Sequence, residues 1–375
     1  MTRPPLAVFG LETRYVARLY ALRTALVVAL ALALVLALDL AGHYDRVLTA
    51  QGVAAMPEGA PRLAWYLWLR ALYNLPAILP IGMGIGIVWV EFDLTRGHER
   101  AMIANTGRAP LLSLMPALVV GVAFGLAQVA LLAHVRPHAV KAQGEAGFRY
   151  YGAGFAGGSA PPEWHDFGAA LVHAGLRFEA TGPVLVDLRL FLLDGENRLE
   201  RVIWADEARP VDGAVLLAGA HATWPTEGLS DARVPLAINT DWLAHAGVEP
   251  RLLPQGALTR IAHAASGVPA ANAYRAALNE RHAALAAMVA MALLVASLSL
   301  RWLAARRGLM APLVILGAAY ALNLGGNVFS ALGEYGRIAP VWAAWGLPVA
   351  VLGGCALVLG IGGWRMRRRL RASGG

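Results

Sequence analysis

The chain has 375 residues, of which 58% are hydrophobic and 15% are charged, and its formal net charge is +8. The charged share is well below the roughly 25% of a soluble globular protein. This composition excludes an ordinary soluble enzyme, and apolar runs of about 20 residues, long enough to cross a bilayer, account for it. We therefore interpret the chain as a membrane protein.

Six apolar runs are long enough to be membrane spans. They cover residues 24–42, 71–90, 109–135, 283–300, 309–332 and 339–363. A polar block separates the third run from the fourth and is long enough to hold a domain. The sequence therefore predicts an N-terminus with three spans (1–135), a central domain (136–268), and three further spans with a basic tail (269–375).

Arginine sets the expected orientation of these spans. If every run crosses the membrane, 15 arginines and four acidic residues fall on one side, whereas the block 136–280 holds 12 basic and 16 acidic residues. Positive residues are retained on the cytoplasmic side of a membrane. We therefore expect both termini in the cytoplasm and the central block outside. The same rule explains the pI near 10 without a nucleic-acid partner.

Two arginines lie near the expected outer ends of the first two spans. Arg46 follows the first run, and Arg70 falls inside an aromatic belt that begins at Trp65. A guanidinium at mid-membrane costs about 2.5–3.5 kcal/mol, so we expect Arg70 at the interface. There it either reaches lipid phosphates or contacts an anionic lipid substrate, since guanidinium pairs with phosphate. Arg46 and Arg70 are thus candidates for lipid contact.

The second apolar run is rich in prolines and glycines. Pro76 and Pro80 are followed by Gly82, Gly84 and Gly86. Prolines are tolerated in membrane helices where neighbouring groups satisfy the freed backbone, and glycines allow helices to approach closely. The run therefore predicts a kinked helix packed tightly against a neighbour.

The central block has the patterning of β-structure. Residues 186–190 alternate between apolar and charged side chains, which is the period of a strand. Asp194-Gly195 is a turn signal, and residues 199–204 can return as the hairpin partner. Further short runs lie at 147–155, 171–179, 214–223 and 233–238, before a predicted helix at 254–266. Such a series of strands is typical of a sandwich or jelly roll.

Common catalytic and nucleotide-binding motifs are missing or out of context. The glycines of residues 152–157 fit G-x-G-x-x-G, but Pro161-Pro162 follow where the helix of a dinucleotide site would run. The single lysine, Lys141, follows Val140, which excludes a Walker A motif. His98-Glu99 lacks the second histidine of a zinc helix, and no G-x-S-x-G elbow occurs. We expect no catalytic residue and no metal site in this chain.

Three polar residues share one face of the fifth span. Tyr320, Asn323 and Asn327 are spaced at i, i+3 and i+7. Polar side chains at this depth either join helices by hydrogen bonds or line a wet or amphipathic cavity. These three residues are further candidates for lipid contact.

The segment between the second and third spans, L-T-R-G-H-E-R-A-M-I-A-N-T-G, resembles the cytoplasmic segment of the lipopolysaccharide-export permease family, LptF/LptG. In that family a glutamate precedes a glycine by eight residues, and a proline follows nine later; here these are Glu99, Gly107 and Pro116. Residues 332–345 are similar to the family's segment before the last span. The hairpin of residues 188–208 and the tetrapeptide 278–281 are similar to the centre of its exported jellyroll and the start of its fourth span.

The resemblance implies a membrane protein of the α + β type, with six transmembrane helices arranged 3+3 and a periplasmic β-jellyroll-like domain between helices 3 and 4. It implies that Glu99, Arg100 and Gly107 belong to a helix that couples the permease to an ATPase. The expected location is the inner membrane of a Gram-negative bacterium.

The implied activity is that of one permease subunit of an ABC exporter that extracts lipopolysaccharide from the inner membrane. The implied partners are a cytoplasmic ABC ATPase dimer, a paralogous permease subunit, and a periplasmic bridge protein with a jellyroll fold. ATP would be used by the ATPase, so no cofactor is expected on this chain.

Two other classes of function are considered beside this one. The two triplets of spans that flank the central block run in opposite directions, and this inverted topology could belong to an ion-coupled secondary transporter. Against it, the third to sixth apolar runs contain no carboxylate suited to a proton relay. The third class is a membrane-anchored periplasmic sensor or binding protein in which the β domain carries the function.

Overall fold

The computed structural model describes residues 10–49, 59–105, 110–148, 159–179, 182–211, 213–224, 233–303 and 310–372. Among these residues the α-helices are α1 (Leu11–Leu48), α2 (Ala60–Arg96), α3 (Glu99–Asn105), α4 (Met115–Ala130), α5 (Arg136–Glu145), α6 (Thr240–Leu243), α7 (Gln255–Ala262), α8 (Ala271–Trp302), α9 (Met310–Glu334) and α10 (Pro340–Ala372). The strands are β1 (Ser159–Asp166), β2 (Ala170–Glu179), β3 (Gly182–Leu193), β4 (Leu199–Val211), β5 (Ala214–Trp224) and β6 (Arg233–Val234).

Six helical segments of the described chain are long and apolar enough to cross a membrane. They are Leu11–Asp45, Ala60–Arg96, Leu112–Glu145, Ala271–Trp302, Met310–Glu334 and Pro340–Val358. Three precede the sheet and three follow it, which confirms the predicted 3+3 arrangement with an inserted β domain.

Glycines bring α1 and α2 into close contact, as the sequence predicted. A Cβ atom added at Gly86 would lie 2.6–2.8 Å from the hydroxyl, the amide nitrogen and the Cα of Thr24. One turn earlier, a Cβ at Gly82 would lie 2.5 Å from a methyl group of Val28. Glycines four residues apart on one helix face therefore let the two backbones touch.

The third span changes its helical pitch midway. Residues Leu131–Val135 form a π turn between α4 and α5. Pro137 explains the position of this turn, because a proline ring has no N–H to donate and clashes with the carbonyl four residues earlier. The span therefore continues as α5 to Glu145 with its side chains rotated relative to a uniform α-helix.

The strands form one antiparallel sheet in the order β1-β2-β3-β4-β5-β6, so each strand pairs with the next one along the chain. The predicted hairpin is the β3–β4 pair, and its turn is closed by Asp194. The Asp194 carboxylate accepts hydrogen bonds of 2.8 Å from the amides of Glu196 and Arg198. The predicted helix at 254–266 corresponds to α7.

One strand was not predicted. β1 contains Pro161 and Pro162, which read as breakers in the sequence. β1 lies at the edge of the sheet, where one side of a strand makes no ladder hydrogen bonds and proline is tolerated. The glycine motif of residues 152–157 lies outside the described residues, as does most of the run 147–155.

The core of the sheet is shared with the membrane helices. One sheet face packs onto α6, α7 and the segment between them through residues such as Trp242, Leu253 and Leu258, and the same cluster includes Val140 of α5. Tyr274 and Leu278 of α8 complete it. The bundle thus has a sheet end, where these residues lie, and an opposite loop end, where α3 lies.

Candidate functional site

A buried ionic cluster fastens α3 to the loop end of the bundle. The Arg100 guanidinium forms a bidentate pair with the Glu91 carboxylate of α2, with one contact of 2.8 Å from Nε to Oε2. Arg100 also donates to the Tyr20 hydroxyl of α1 at 3.2 Å, and that hydroxyl donates to Glu91. Burial lowers the pKa of Arg100, but the hydrogen bond and charge of Glu91 outweigh it, so the pKa is raised above its ordinary value.

Glu99 is adjacent to Arg100 and has a different environment. Its side chain is only partly buried and accepts a long hydrogen bond of 3.4 Å from the hydroxyl of Tyr15. The turn before it is tight, because His98 has a left-handed backbone with φ of 61°. Within α3, the Arg100 side chain is therefore 10% exposed and packed into the bundle, while Glu99 stays partly exposed. Gly107 lies outside the described residues.

At the sheet end, Arg70 is held by an acidic residue of the neighbouring helix. Its Nε donates to Asp39 Oδ2 at 2.8 Å, and a second contact makes the pair bidentate. The hydroxyl of Tyr66 donates to the same carboxylate. The alternatives considered from sequence, lipid phosphate or lipid substrate, did not include this ion pair. Arg46 lies near the end of α1, and its side chain is outside the described part.

An amphipathic cavity of about 440 Å³ lies within the bundle, between α2, α4, α8, α9 and α10, and reaches the base of the sheet domain. Its walls are mainly apolar. Their largest members are Leu132, Met288, Met291, Leu322 and Leu347. The polar lining residues at the sheet end are Arg136, Glu249, Arg251, Glu280 and Ser330.

Gln128 lines this cavity and supplies a hydrogen-bond donor that the backbone of α2 lacks. Pro80 has no N–H, so the carbonyl of Pro76, four residues earlier, loses its helical donor. The Gln128 side chain donates to that carbonyl at 2.8 Å. Its own Oε1 is a buried atom that has no hydrogen-bond partner among the described residues.

An ionic cluster at the mouth of the cavity joins the sheet domain to the bundle. Arg251, from the segment before α7, pairs with Glu280 of α8 at 3.0 Å and with Glu334 of α9 at 2.7 Å. It also donates to the hydroxyl of Ser330 at 2.8 Å. Burial lowers the pKa of Arg251, but the charges of Glu280 and Glu334 outweigh it and raise the pKa above its ordinary value.

A second arginine docks the same segment from the side of α8. Arg281 is 3% exposed, and it donates to the side chain of Gln255 at 2.9 Å. It also donates to the backbone carbonyls of Arg251 and Leu253 at 3.1 and 2.6 Å. Two neighbouring residues of one helix, Glu280 and Arg281, thus hold the base of the sheet domain.

The polar face predicted on the fifth span divides in the structure. Asn323 and Asn327 line the cavity, and Asn327 is also exposed, so the cavity is open to the surface beside α9. Tyr320 is 57% exposed and is not part of the lining. The hypothesis of an amphipathic cavity thus fits the two asparagines and not the tyrosine.

The sequence did not point to several residues that line the cavity, or to Glu334, which pairs with one of them; the lining residues are Gln128, Arg136, Arg251, Glu280 and Ser330. Two of them carried a usable signal: Glu280 and Glu334 stand in two separate motifs that resemble the same family, and both contact Arg251. Gln128 was visible as an amide within an apolar run. Nothing in the sequence indicates that Arg251 meets either glutamate.

Comparison with known protein families gives a match over most of the chain. The family model described as "Lipopolysaccharide export system permease LptF/LptG" matches residues 14–361, which include all six candidate spans except the first three residues of the first one. No curated protein matches the chain.

Proposed function

Because the chain belongs to the lipopolysaccharide export permease family LptF/LptG, we propose that it is one permease subunit of an ABC exporter. In this proposal the exporter extracts lipopolysaccharide from the inner membrane and passes it to a periplasmic bridge. The six apolar helices agree with a multi-pass protein of the inner membrane. Family membership makes the chain a transport subunit rather than an enzyme.

The proposed assembly contains a cytoplasmic ABC ATPase dimer, a paralogous permease subunit and a periplasmic adaptor with a jellyroll fold. ATP is used by the ATPase, and this chain binds no cofactor of its own. The loop end lies in the cytoplasm and the sheet domain in the periplasm, in agreement with the arginine distribution.

The observation that carries the proposal is the construction of α3. Arg100 ties this short helix to α1 and α2 through buried groups, and Glu99 beside it keeps part of its side chain exposed. A partner that moves α3 by binding Glu99 must move the two long helices with it. This is the mechanical arrangement required of a contact that receives work from a separate ATPase.

Charge reversal of Glu99 tests this role. We expect Glu99→Lys to lower ATP-driven release of lipopolysaccharide from proteoliposomes at least tenfold, because a lost interaction of about 1.4 kcal/mol is a factor of ten. The matched control is Glu196→Lys, since Glu196 is an exposed acid in the β3–β4 turn. Unchanged release in Glu99→Lys would remove α3 as the coupling contact.

Purification tests the wider proposal. Extracted from its native membrane in mild detergent, the chain is expected to co-elute with a nucleotide-binding subunit and with a second chain of the same 3+3 plan. Elution without a nucleotide-binding subunit would favour the secondary transporter or the membrane-anchored sensor instead.

A further inference from the structure

The sheet has an outer face, which is turned away from the core that it shares with α6 and α7. On this outer face four residues, one from each of the strands β1 to β4, lie opposite one another in a row across the sheet. They are Trp164, His173, Arg189 and Trp204. Their neighbours in sequence, among them Val172, Leu190 and Ile203, belong to the core on the inner face. Successive side chains of a strand point to opposite faces, so the row points outward.

The row lies at the centre of an exposed aromatic zone, formed by Trp164, Phe191, Trp204, Trp224 and the side chains between them. Trp164 packs against Phe191, with ring centroids 5.5 Å apart. Phe191 lies opposite Val202, and Val202 lies opposite Trp224 of β5. Trp164, Trp204 and Trp224 are 61%, 44% and 57% exposed. Single exposed apolar residues are ordinary, but a contiguous group of them marks an interaction site.

The other half of the outer face is closed by ion pairs. Arg177 pairs with Glu179 at 2.9 Å and also with Glu207, and Arg209 pairs with Glu179 at 2.8 Å. Val184, opposite Arg177, is only 1% exposed. The charges at this end of the strands therefore satisfy one another, and the aromatic zone at the other end is the part of the face that is open to a ligand.

The zone is smaller than the surface that a stable protein partner buries. At roughly 150–250 Å² for one aromatic side chain, the exposed parts of the three indoles amount to about 250–400 Å². The apolar side chains between them are only partly exposed. A specific protein interface buries about 800 Å² on each partner. The area therefore favours a small ligand over a protein domain or a second copy of this chain.

The chemistry of the zone indicates the class of this ligand. Neighbouring strands lie about 4.8 Å apart, so Trp164 and Trp204, three strands apart, are separated by about 14 Å. Between them Arg189 lies 5.6 Å from the ring centroid of Trp204, and it forms no ion pair within the described part of the chain. Aromatic surfaces on either side of an available guanidinium suit a flat, anionic ligand of several rings.

A phosphate-bearing oligosaccharide has this chemistry. One face of a sugar ring presents polarised C–H groups, which the negative face of an indole attracts, while the hydroxyl groups at its rim stay in water. A phosphate on the sugar pairs with guanidinium through two parallel hydrogen bonds.

We propose that the aromatic zone binds the sugar part of lipopolysaccharide, with sugar rings on Trp164 and Trp204 and a phosphate on Arg189. The choice of this sugar rests on the proposed function, in which the sheet domain stands in the periplasm. There it meets the sugars of a lipid whose acyl chains are still held in the membrane. The zone thus contacts the part of the cargo that the membrane-spanning helices do not reach.

The test is saturation-transfer NMR on the full-length protein in phospholipid nanodiscs. The probe is the lipid-free oligosaccharide that mild acid releases from purified lipopolysaccharide. We expect saturation to reach the C–H protons of the sugar rings, and Trp204→Ala to raise the dissociation constant about fivefold. Trp204→Tyr keeps an aromatic ring and is expected to bind as the wild type does. The matched control is Trp68→Ala, because Trp68 of α2 is also 57% exposed but lies outside the sheet domain.

Arg189→Gln separates the charge from the stacking. We expect this change to weaken binding of the phosphorylated oligosaccharide about threefold, as for an exposed ion pair. Binding of the same oligosaccharide after removal of its phosphates should not change. Arg198→Gln, in the exposed β3–β4 turn, is the control and should leave both affinities as they are.

Equal affinity in the wild type, Trp204→Ala and Arg189→Gln would overturn the site, and so would the absence of saturation transfer. If Trp164 and Trp204 were then protected from oxidation in the purified complex, the zone would belong to a protein partner instead. Binding needs neither ATP nor the ATPase. Oligosaccharide binding by a chain that supports no export would leave the site standing and refute the proposed function. Export by a chain that binds no oligosaccharide would do the reverse.

Discussion

Arg100 and Glu91 form the most deeply buried ion pair described in this protein, with side chains that are 10% and 1% exposed. Moving two charges out of water costs several kcal/mol for each ion, and a bidentate contact with a third hydrogen-bonding group offsets that cost. The Tyr20 hydroxyl is this third group. The pair therefore defines where α3 lies rather than adding much net stability.

The two ways of removing this pair are expected to differ. Glu91→Gln leaves a buried guanidinium without its counter-charge, which costs about 3–5 kcal/mol. Arg100→Gln likewise leaves the buried Glu91 carboxylate without a counter-charge. The double variant leaves neither charge uncompensated. Thermal unfolding in detergent should show the double variant to be more stable than either single one, with a coupling energy of about 0.5–3 kcal/mol. A strictly additive double variant would contradict the buried pairing.

Arg70 shows what the sequence reveals about single residues. The aromatic belt and the cost of a buried charge predicted its depth in the membrane. They did not predict its partner, because Asp39 is 31 residues away on another helix. Hydrophobic patterning gives the depth of a residue along a helix, whereas the ion pair depends on how two helices are rotated against each other.

Helices α1 and α2 illustrate close packing at the scale of elements. A Cβ at Gly86 would lie within 2.8 Å of backbone atoms of Thr24, which cannot turn away as a side chain can. The helices must therefore separate to admit any other residue. The sequence predicted a tightly packed helix here, and the glycine spacing was sufficient for that prediction.

Gly86→Ala is expected to destabilise the protein by about 1–3 kcal/mol through this overpacking. Gly317→Ala on α9 is the matched control, because nothing lies within 4 Å of the added Cβ there. That control should be neutral, or stabilising by up to about 1 kcal/mol from the higher helix propensity of alanine. The measurement is the apparent Tm of both variants in the same detergent; equal shifts would speak against helix contact at Gly86.

Strand β1 marks the limit of prediction at this scale. Two prolines remove backbone donors and break the pattern of a strand, but at the edge of a sheet those donors are not needed on the outer side. Sequence patterns describe a segment and not its position in the sheet. The β3–β4 hairpin was predicted because its alternation and its Asp-Gly turn are both local.

At the scale of the whole molecule, Arg251 connects the sheet domain to two membrane helices. It contacts Glu280 of α8 and Glu334 of α9 at once. The sequence predicted the order of spans and domain, since length and hydropathy are sufficient for that. It did not predict this junction or the cavity below it, because each draws residues from segments far apart in the chain.

Arg251→Ala is expected to loosen that junction. Hydrogen exchange of the amides in residues 250–262 should become about tenfold faster, which corresponds to about 1.4 kcal/mol of local stability. Arg260→Ala is the control in the same region, since its pair with Asp241 is exposed to solvent, which screens the interaction. The same protection in both variants would mean that Arg251 does not hold the domain in place.

The shared core beneath the sheet has a consequence for the order in which the protein is made. Val140 precedes the strands in the chain, but Tyr274 and Leu278 follow all of them. During synthesis the strands therefore emerge before α6 and α7, which cover their apolar face, and before the residues of α8 that complete the core. Uncovered strands of this kind are prone to aggregation. Biogenesis of this protein thus includes an interval in which the strands need protection, and that interval ends once α6, α7 and the start of α8 have been made.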